Sequence, residues 1–115
     1  MVMTTTHTPG PWHYQGVGSG YEITARTSLG AKFAGYHIAT VIKDSPGFEP
    51  VSRETTEANA RLIAAAPELL AALEHAEHYL RLRLTGLEYG GYEWNAAQSA
   101  HNAARAAIAK ARGES

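Results

Sequence analysis

The spacing of apolar and polar residues divides the chain into a β-rich first part and a helical second part. In residues 21–28 (YEITARTS), apolar and polar residues alternate at the start, which is the period of a half-buried strand. Residues 36–42 (YHIATVI) are rich in β-branched side chains and predict the clearest strand. Residues 12–15 predict a shorter one. We therefore expect an antiparallel sheet of three strands, or four, within residues 9–50.

Glycine and proline mark the turns of this sheet. Residues 16–20 (GVGSG) predict a hairpin turn, because a phosphate-binding loop should open into a helix, whereas this segment precedes a strand. Residues 29–32 (LGAK) predict a second turn, and residues 44–47 (DSPG) end the β region. Residues 1–8 are polar and predict a flexible tail. The chain of 115 residues is expected to form one domain.

Residues 51–115 predict helices, because their apolar residues recur every three or four positions. We expect a short helix near 54–65 and a longer one over about 67–84, since proline is tolerated at a helix start and disrupts its interior. One kinked helix is the alternative. A last helix is expected over about 96–112, so that the fold class is α+β with a helical hairpin. The stripe expected to face the sheet is Leu62, Ala66, Leu69, Leu73, Ala76 and Leu80.

The predicted helices have more apolar or small surface than one chain can cover. The longer helix has a second partial stripe, formed by Ala72, Tyr79 and Leu82. Small residues, which favour close helix packing, dominate the last helix: Ala97, Ala100, Ala103, Ala104, Ala107 and Ile108. Much of the 44% apolar composition is alanine, which buries little area per residue. We therefore expect a homo-oligomer, a dimer or larger, in which a second subunit completes the packing.

Composition and charge exclude several classes of protein. The net charge is −1 at pH 7, whereas binding of duplex nucleic acid usually requires a basic surface, so no nucleic-acid polymer is expected as a partner. Cysteine does not occur, so disulfides and thiolate metal sites are impossible. The apolar runs are too short to span a bilayer and the first residues do not resemble a signal peptide. A soluble intracellular protein without a membrane partner is expected.

The segment around the start of the last helix contains the residue types that a nucleotide site requires. These candidates are Tyr89, Tyr92, Trp94, Asn95, Arg105 and Arg112. Aromatic rings stack on nucleobases, asparagine hydrogen-bonds base edges, and arginine binds phosphate oxygens. Asn95 and Arg105 lie about 15 Å apart along a helix, so a shared pocket would need antiparallel subunits. The structural alternative is that Asn95 caps the helix with Gln98, Trp94 packs in the core, and Arg112 complements the helix C-terminus.

Asn59 and Arg61 form a second candidate pair near the start of the first helix. Residues two positions apart on a helix point in different directions, so the pair cannot form one simple site. Asn59 is expected to bond nearby backbone. Arg61 is expected to contact an acidic neighbour or a phosphate, and we retain it as a candidate ligand-binding residue, although a structural role is favoured for the pair.

Metal and enzyme chemistry have little support in the sequence. Glu74, His75, Glu77 and His78 have spacings that helical metal ligands use, with His101 on the next helix, but EHAEH is not a zinc-protease signature. The serines lie outside any nucleophile-elbow context and no catalytic triad can be recognised. We expect no metal, no cofactor, no catalytic residue and no enzymatic activity.

Two motifs together resemble a family of small phage and prophage proteins. They are TPGPW at residues 8–12 and ANARLIAAAPELL at residues 58–70. The resemblance implies a phage origin and hence the cytoplasm of an infected bacterial host. It covers about a fifth of the chain and implies no activity by itself.

The arrangement of a small sheet followed by helices also resembles the Thoeris anti-defence sponge family, whose members sequester cyclic ADP-ribose signals and in some cases cyclic oligonucleotides. That resemblance implies interlocked antiparallel helices, with an aromatic residue, an asparagine and arginines from two subunits around the ligand. It implies that this protein is a non-enzymatic binder of a small nucleotide signalling molecule. The alternative is an oligomeric interaction or structural accessory protein of a phage, without a small-molecule ligand.

Overall fold

The computed structural model describes residues 7–26 and 35–114 and confirms the α+β fold. Its elements are β1 (Trp12–Val17), β2 (Gly20–Ala25), β3 (Tyr36–Ile42), α1 (Arg53–Ala64), α2 (Ala66–Leu84) and α3 (Tyr92–Ala111). Contacts within the chain define two compact units, a sheet unit (Met1–Glu68) and a helical unit (Leu69–Ser115). The turn predicted at 29–32, the end of the strand predicted at 21–28 and most of the predicted tail lie outside the described residues.

The sheet is antiparallel with the strand order β1-β2-β3. Its first hairpin closes over Gly18 and Ser19, between the paired residues Val17 and Gly20. Gly18 has a φ of 55°, a conformation that glycine adopts without steric cost and that two-residue hairpin turns require. The hairpin turn predicted at 16–20 is therefore confirmed, as is the strand predicted at 36–42.

The core of the sheet unit lies between β2 and α1. Ile23 is fully buried on the central strand, and it packs against Ala60 and Ala64 of α1. Small residues at these two positions let the helix lie close to the sheet. Partly buried side chains surround this cluster: Trp12, Tyr14, Tyr21, Ile38, Ala39, Val41 and Ile63.

The N-terminus of α1 is held by two side chains. The backbone N–H of Thr55 donates to Oγ of the N-cap residue Ser52 over 3.1 Å. The buried Thr56 donates its hydroxyl to the carbonyl of Ser52 over 2.8 Å. The start of α1 is therefore fixed beside the sheet by bonds that satisfy the first helical turn.

The second helix begins at Ala66, one residue before the start expected at Pro67. A single residue, Ala65, separates α1 from α2, and Pro67 is the second residue of α2. The single stripe predicted from Leu62 to Leu80 is wrong in part. Leu62 is 64% exposed and Leu69 51% exposed, although the stripe predicted both as core.

The half-buried side chains of α2 form a stripe that differs in part from the predicted one. From Leu70 onward they are Leu70, Leu73, Glu74, Glu77, Leu80 and Leu84. Of the predicted stripe, Ala66, Leu73 and Leu80 are half-buried, whereas Ala76 is exposed.

The segments TPGPW (residues 8–12) and ANARLIAAAPELL (residues 58–70) meet in the sheet unit. Trp12 packs against the core cluster that contains Ala60 and Ala64, and its indole N–H donates to the carbonyl of Thr8 over 3.0 Å. Gly10 lies against Pro67 so closely that a Cβ added to Gly10 would be 2.8 Å from Cβ of Pro67. TPGPW and the proline-containing helical block therefore form one packed joint, which gives both motifs a structural role.

The helical unit consists of α2 from Leu69 onward, a turn over 85–91, and α3. The helix α3 begins at Tyr92, four residues earlier than expected, because Gly91 is its N-cap residue. At the other end, Gly113 has a φ of 76°, and the N–H groups of Gly113 and Glu114 donate to Lys110 and Ala109. This Schellman motif ends α3 and fixes the position of Glu114.

Packing within the helical unit is sparse. Only His101, Ala104 and Ile108 are buried on α3, and none of the residues of α2 is buried. Of the residues of α3 predicted to favour close helix packing, Ala104 and Ile108 are buried, whereas Ala100, Ala103 and Ala107 are exposed.

Candidate functional site

A cleft of about 380 Å³ opens in the helical unit beside two of the predicted site residues, Arg105 and Arg112. These arginines are seven residues apart on α3, which is close to two helical turns, so they share one face. The full lining is Glu74, Glu77, Arg105, Ile108, Ala109, Arg112 and Glu114. The cleft therefore combines two guanidinium groups with three carboxylates and a small apolar floor.

The two arginines of the cleft are in different electrostatic situations. The Arg112 guanidinium pairs with the Glu74 carboxylate across the two helices. Arg105 has no ion pair within residues 7–26 and 35–114. Within the described residues, the Arg112 guanidinium is therefore paired with a carboxylate and the Arg105 guanidinium is not.

A buried ionisable pair lies next to the cleft. Oε1 of Glu77 is 2.8 Å from Nε2 of His101, and both side chains are largely buried. The contact does not have the alignment of a hydrogen bond, so within the described chain both ring nitrogens of His101 are without a hydrogen-bond partner. The contact with His101 holds the Glu77 carboxylate at the wall of the cleft.

The predicted aromatic residues gather at the turn end of α3. The rings of Tyr89 and Trp94 are 4.6 Å apart between centroids and tilted by 59°. Tyr89 and Tyr92 are among the most exposed aromatic side chains described, at 83% and 89%. These rings offer open faces on which a planar ligand could stack.

Asn95 lies inside the first turns of α3 and does not cap it. Its side-chain amide donates to the carbonyl of Gly90 over 3.2 Å. Gln98 donates to Asn102 and makes no capping-box contact. The capping alternative is therefore wrong, because the glycines at 90 and 91 start the helix earlier. The Asn95 side chain instead hydrogen-bonds the turn that precedes α3, next to Tyr89.

The structure brings the predicted site residues together in two groups. Tyr89 precedes α3, and Trp94 and Asn95 lie in its first turn, whereas Arg105 lies in its second half and Arg112 is its C-cap residue. The separation of about 15 Å expected for Asn95 and Arg105 applies, because both residues belong to one continuous helix. Within one chain, the aromatic group and the arginines do not line a common cleft.

Arg61 belongs to the sheet unit and is exposed on α1. Its guanidinium lies 3.9 Å from the carboxylate of Glu57, one helical turn earlier. This is the acidic neighbour that the sequence analysis expected for Arg61. Asn59 is also exposed.

The histidine and glutamate residues of α2 contact other partners instead of converging. In the described parts of the chain, no three side chains of the metal-binding types come together. Glu74 contacts Arg112, Glu77 contacts His101, and Nδ1 of His78 lies 2.8 Å from the Arg81 guanidinium. The Glu74 and Glu77 carboxylates therefore do not converge with the histidines as metal ligands, and both line the cleft.

Sequence reasoning missed Glu114 as a residue of the cleft. Its position depends on the left-handed conformation of Gly113, which turns the chain back at the end of α3. A glycine just after a predicted helix end is the signal that could have found it. The pairing of Glu77 with His101 had no local signal, because 24 positions separate the two residues.

Comparison with known proteins identifies the family. Residues 3–115 match the sequence profile of a family described as Salmonella phage P22 protein Y8K6. No significant match was found among curated proteins or among solved structures. Among the described residues, no helix combines the length and the apolarity needed to cross a membrane. Since the match extends over nearly the whole chain, this protein belongs to the phage protein family of Salmonella phage P22 protein Y8K6.

Proposed function

We propose that this phage-family protein is a non-enzymatic binder that sequesters a small cyclic nucleotide or cyclic ADP-ribose-type signal of the bacterial host. The observation that supports this proposal most directly is the cleft with Arg105 and Arg112 on one face. Guanidinium groups bind phosphate oxygens in a two-pronged geometry, and carboxylates accept hydrogen bonds from ribose hydroxyls. A volume of about 380 Å³ suits a ligand of this size.

Binding would proceed by exchange of one ion pair. Arg105 meets the phosphate first, because it has no competing carboxylate partner in the described chain. Arg112 then leaves Glu74 for the ligand, and the freed Glu74 carboxylate accepts a hydrogen bond from a ligand hydroxyl. After this exchange both guanidinium groups pair with the phosphate, and the Glu74 carboxylate keeps a hydrogen-bond donor in place of its cation.

A second copy of the chain would have a close packing surface on α3. The exposed small residues Ala96, Ala100, Ala103 and Ala107 follow one face of α3 and permit close helix packing. At 3.6 residues per turn, Arg105 and Arg112 lie on the opposite face of this helix. Self-association through the alanine face would therefore leave the arginine-lined cleft open to a ligand.

Isothermal titration against cyclic ADP-ribose isomers and cyclic di- and trinucleotides tests the proposal. We expect at least one compound to bind and to be recovered unchanged after denaturation, as established by mass spectrometry. The double variant Arg105→Gln/Arg112→Gln should lose about a hundredfold in affinity, since each charge-assisted contact contributes about a tenfold factor. The matched variant Arg81→Gln/Arg83→Gln removes the same charge from α2 and should bind normally.

The outcomes separate binding from other functions. Heatless titrations across the panel would refute the sponge function. Recovery of a converted compound would show an enzyme instead of a sponge. Equal loss of affinity in the two double variants would show that general charge, and not the cleft, attracts the ligand.

A second candidate function is an oligomeric accessory protein of the phage without a small-molecule ligand. It is favoured by the apolar face of α2, which we define as Leu69, Ala72, Ala76 and Tyr79; all four are exposed. Together with the sparse packing of the helical unit, this face points to a second copy as its occupant. A two-helix unit with three buried residues has too little core to be stable alone.

Light scattering coupled to size-exclusion chromatography tests this candidate. We expect the wild-type chain to be a dimer or larger, and Tyr79→Glu to shift it toward monomer, because a charge would be buried in the interface. His78→Glu places the same charge on another exposed position of α2 and should leave the oligomer intact. A monomeric wild-type chain at high concentration would contradict the proposed self-association.

A further inference from the structure

The sheet unit contains a second cleft that the proposed function does not use. Its volume is about 460 Å³, and it lies at the end of the sheet where the first hairpin turns. The lining consists of Gly16, Gly18, Ser19, Gly20, Tyr21, Lys43 and Arg53. These residues come from three separate segments of the sequence, so no local motif predicts the cleft.

The fold brings the two basic residues of this cleft to the glycine turn. Gly20 of the central strand pairs with Val17 on one side and with Ile42 on the other. Lys43 follows Ile42 directly and therefore leaves the sheet beside the turn. The N–H of Val51 donates to the carbonyl of Lys43 over 3.0 Å, which closes the intervening loop and places the start of α1 next to it. Arg53 is the first residue of that helix.

The glycines leave this end of the sheet without side chains that would fill the cleft. A Cβ on Gly20 would lie 2.2 Å from the carbonyl oxygen of Val41, so only glycine fits there. Gly18 combines a φ of 55° with open space around its Cα. A ligand could therefore approach the backbone of the turn closely.

The charged residues that line the cleft are both basic. Lys43 and Arg53 are its only ionisable groups besides the Tyr21 phenol, and none of its lining residues is acidic. Within the described residues, neither basic side chain forms an ion pair. The N-terminus of α1 adds the partial positive charge of the helix dipole at the same place. The acidic Glu54 in the first turn of α1 is exposed and does not line the cleft.

We propose that this cleft binds the phosphate group of a small phosphorylated molecule. The Arg53 guanidinium contacts two phosphate oxygens, and the Lys43 ammonium neutralises the remaining charge. The hydroxyl of Ser19 and the backbone of the glycine turn complete the contacts, and Tyr21 forms one wall. The site is built entirely within the sheet unit, so it is independent of the Arg105 and Arg112 cleft and of the function proposed for it.

Titration of ¹⁵N-labelled protein followed by NMR tests the site, with inorganic phosphate and adenosine 5′-monophosphate as probes and sodium chloride at matched ionic strength as reference. We expect saturable shifts of the amides of Gly16, Gly18, Ser19 and Gly20 with both phosphates and not with chloride. Lys43→Gln and Arg53→Gln should each weaken binding about tenfold, the factor expected for one charge-assisted contact.

Arg26→Gln is the matched control for these variants. It removes one exposed positive charge just beyond the opposite end of β2 and should bind the probes like wild type. Shifts that do not saturate, or that chloride reproduces, would overturn the proposal as simple screening. An equal loss in Arg26→Gln would overturn it as a general charge effect. Shifts confined to residues around Arg105 and Arg112 would assign the anion to the other cleft and so also overturn it.

Discussion

Replacement of Gly10 by alanine is predicted to loosen the joint between TPGPW and the helical block that contains Pro67. The new Cβ would lie 2.8 Å from Cβ and 3.2 Å from Cγ of Pro67. Two carbon atoms prefer a separation of about 3.5–4.0 Å, so the closer contact is short by at least about 0.7 Å. The proline ring is rigid and cannot rotate away, so the backbone must shift. Overpacking of this kind costs about 1–3 kcal/mol of stability.

A double-mutant cycle isolates that contact. In a Pro67→Gly background, both ring atoms near Gly10 are removed, and the closest remaining atom is Oε1 of Glu68 at 3.5 Å, an ordinary contact. Pro67→Gly has its own cost in the first turn of α2, but the cycle subtracts it. Gly10→Ala should therefore be nearly neutral in this background, which gives a coupling energy of about 1–3 kcal/mol.

Urea denaturation followed by far-UV circular dichroism measures the four variants. In thermal unfolding followed by the same signal, each kcal/mol of lost stability should lower the melting temperature of Gly10→Ala by about 4 °C, the value expected for a chain of this size. Gly16→Ala is the control, because its added Cβ would meet nothing closer than 3.9 Å. If Gly10→Ala costs the same with and without the Pro67 ring, then the contact between the motifs is not the reason for glycine at this position.

Three further outcomes follow from the same structure. Ile23→Ala should destabilise the protein by about 2–5 kcal/mol in urea denaturation, because Ile23 is a fully buried side chain of a thin core; a loss below about 1 kcal/mol would contradict that role. Ser52→Ala should cost about 0.5–2 kcal/mol in the same assay, since it removes the acceptor for the Thr55 N–H, whereas Ser52→Asp should retain most of the stability. Glu74→Gln should raise the affinity for an anionic ligand in titration calorimetry, because it releases Arg112; unchanged or weaker binding would argue against the proposed exchange.

Local signals in the sequence predicted most of the secondary structure. The alternation around Ile23, the β-branched run at 36–42 and the glycines at 16–20 each reflect interactions within a few residues. The proline at position 67 likewise marked the break between α1 and α2 to within two residues. The predicted start of α3 at about residue 96 was too late. The two consecutive glycines at 90 and 91 end the turn, and α3 begins directly after Gly91.

The faces of the helices were predicted less well. The stripe from Leu62 to Leu80 was predicted from periodicity alone. In the structure Leu62 and Leu69 are exposed, and α1 covers the sheet with Ala60 and Ala64. Burial depends on what packs opposite a residue, and periodicity alone does not contain that information.

The amino-acid sequence by itself determined the α+β class, the hairpin, the order of the helices and the membership of a phage protein family. It also placed aromatic, amide and guanidinium groups near α3. Only the tertiary structure decided that Arg105 and Arg112 share a cleft with Glu74 and Glu77, and that Lys43 and Arg53 meet at a glycine turn. The physical reason is that strands, turns and helix ends arise from sterics and hydrogen bonds between near neighbours. Clefts and ion pairs, in contrast, arise where segments distant in sequence pack together.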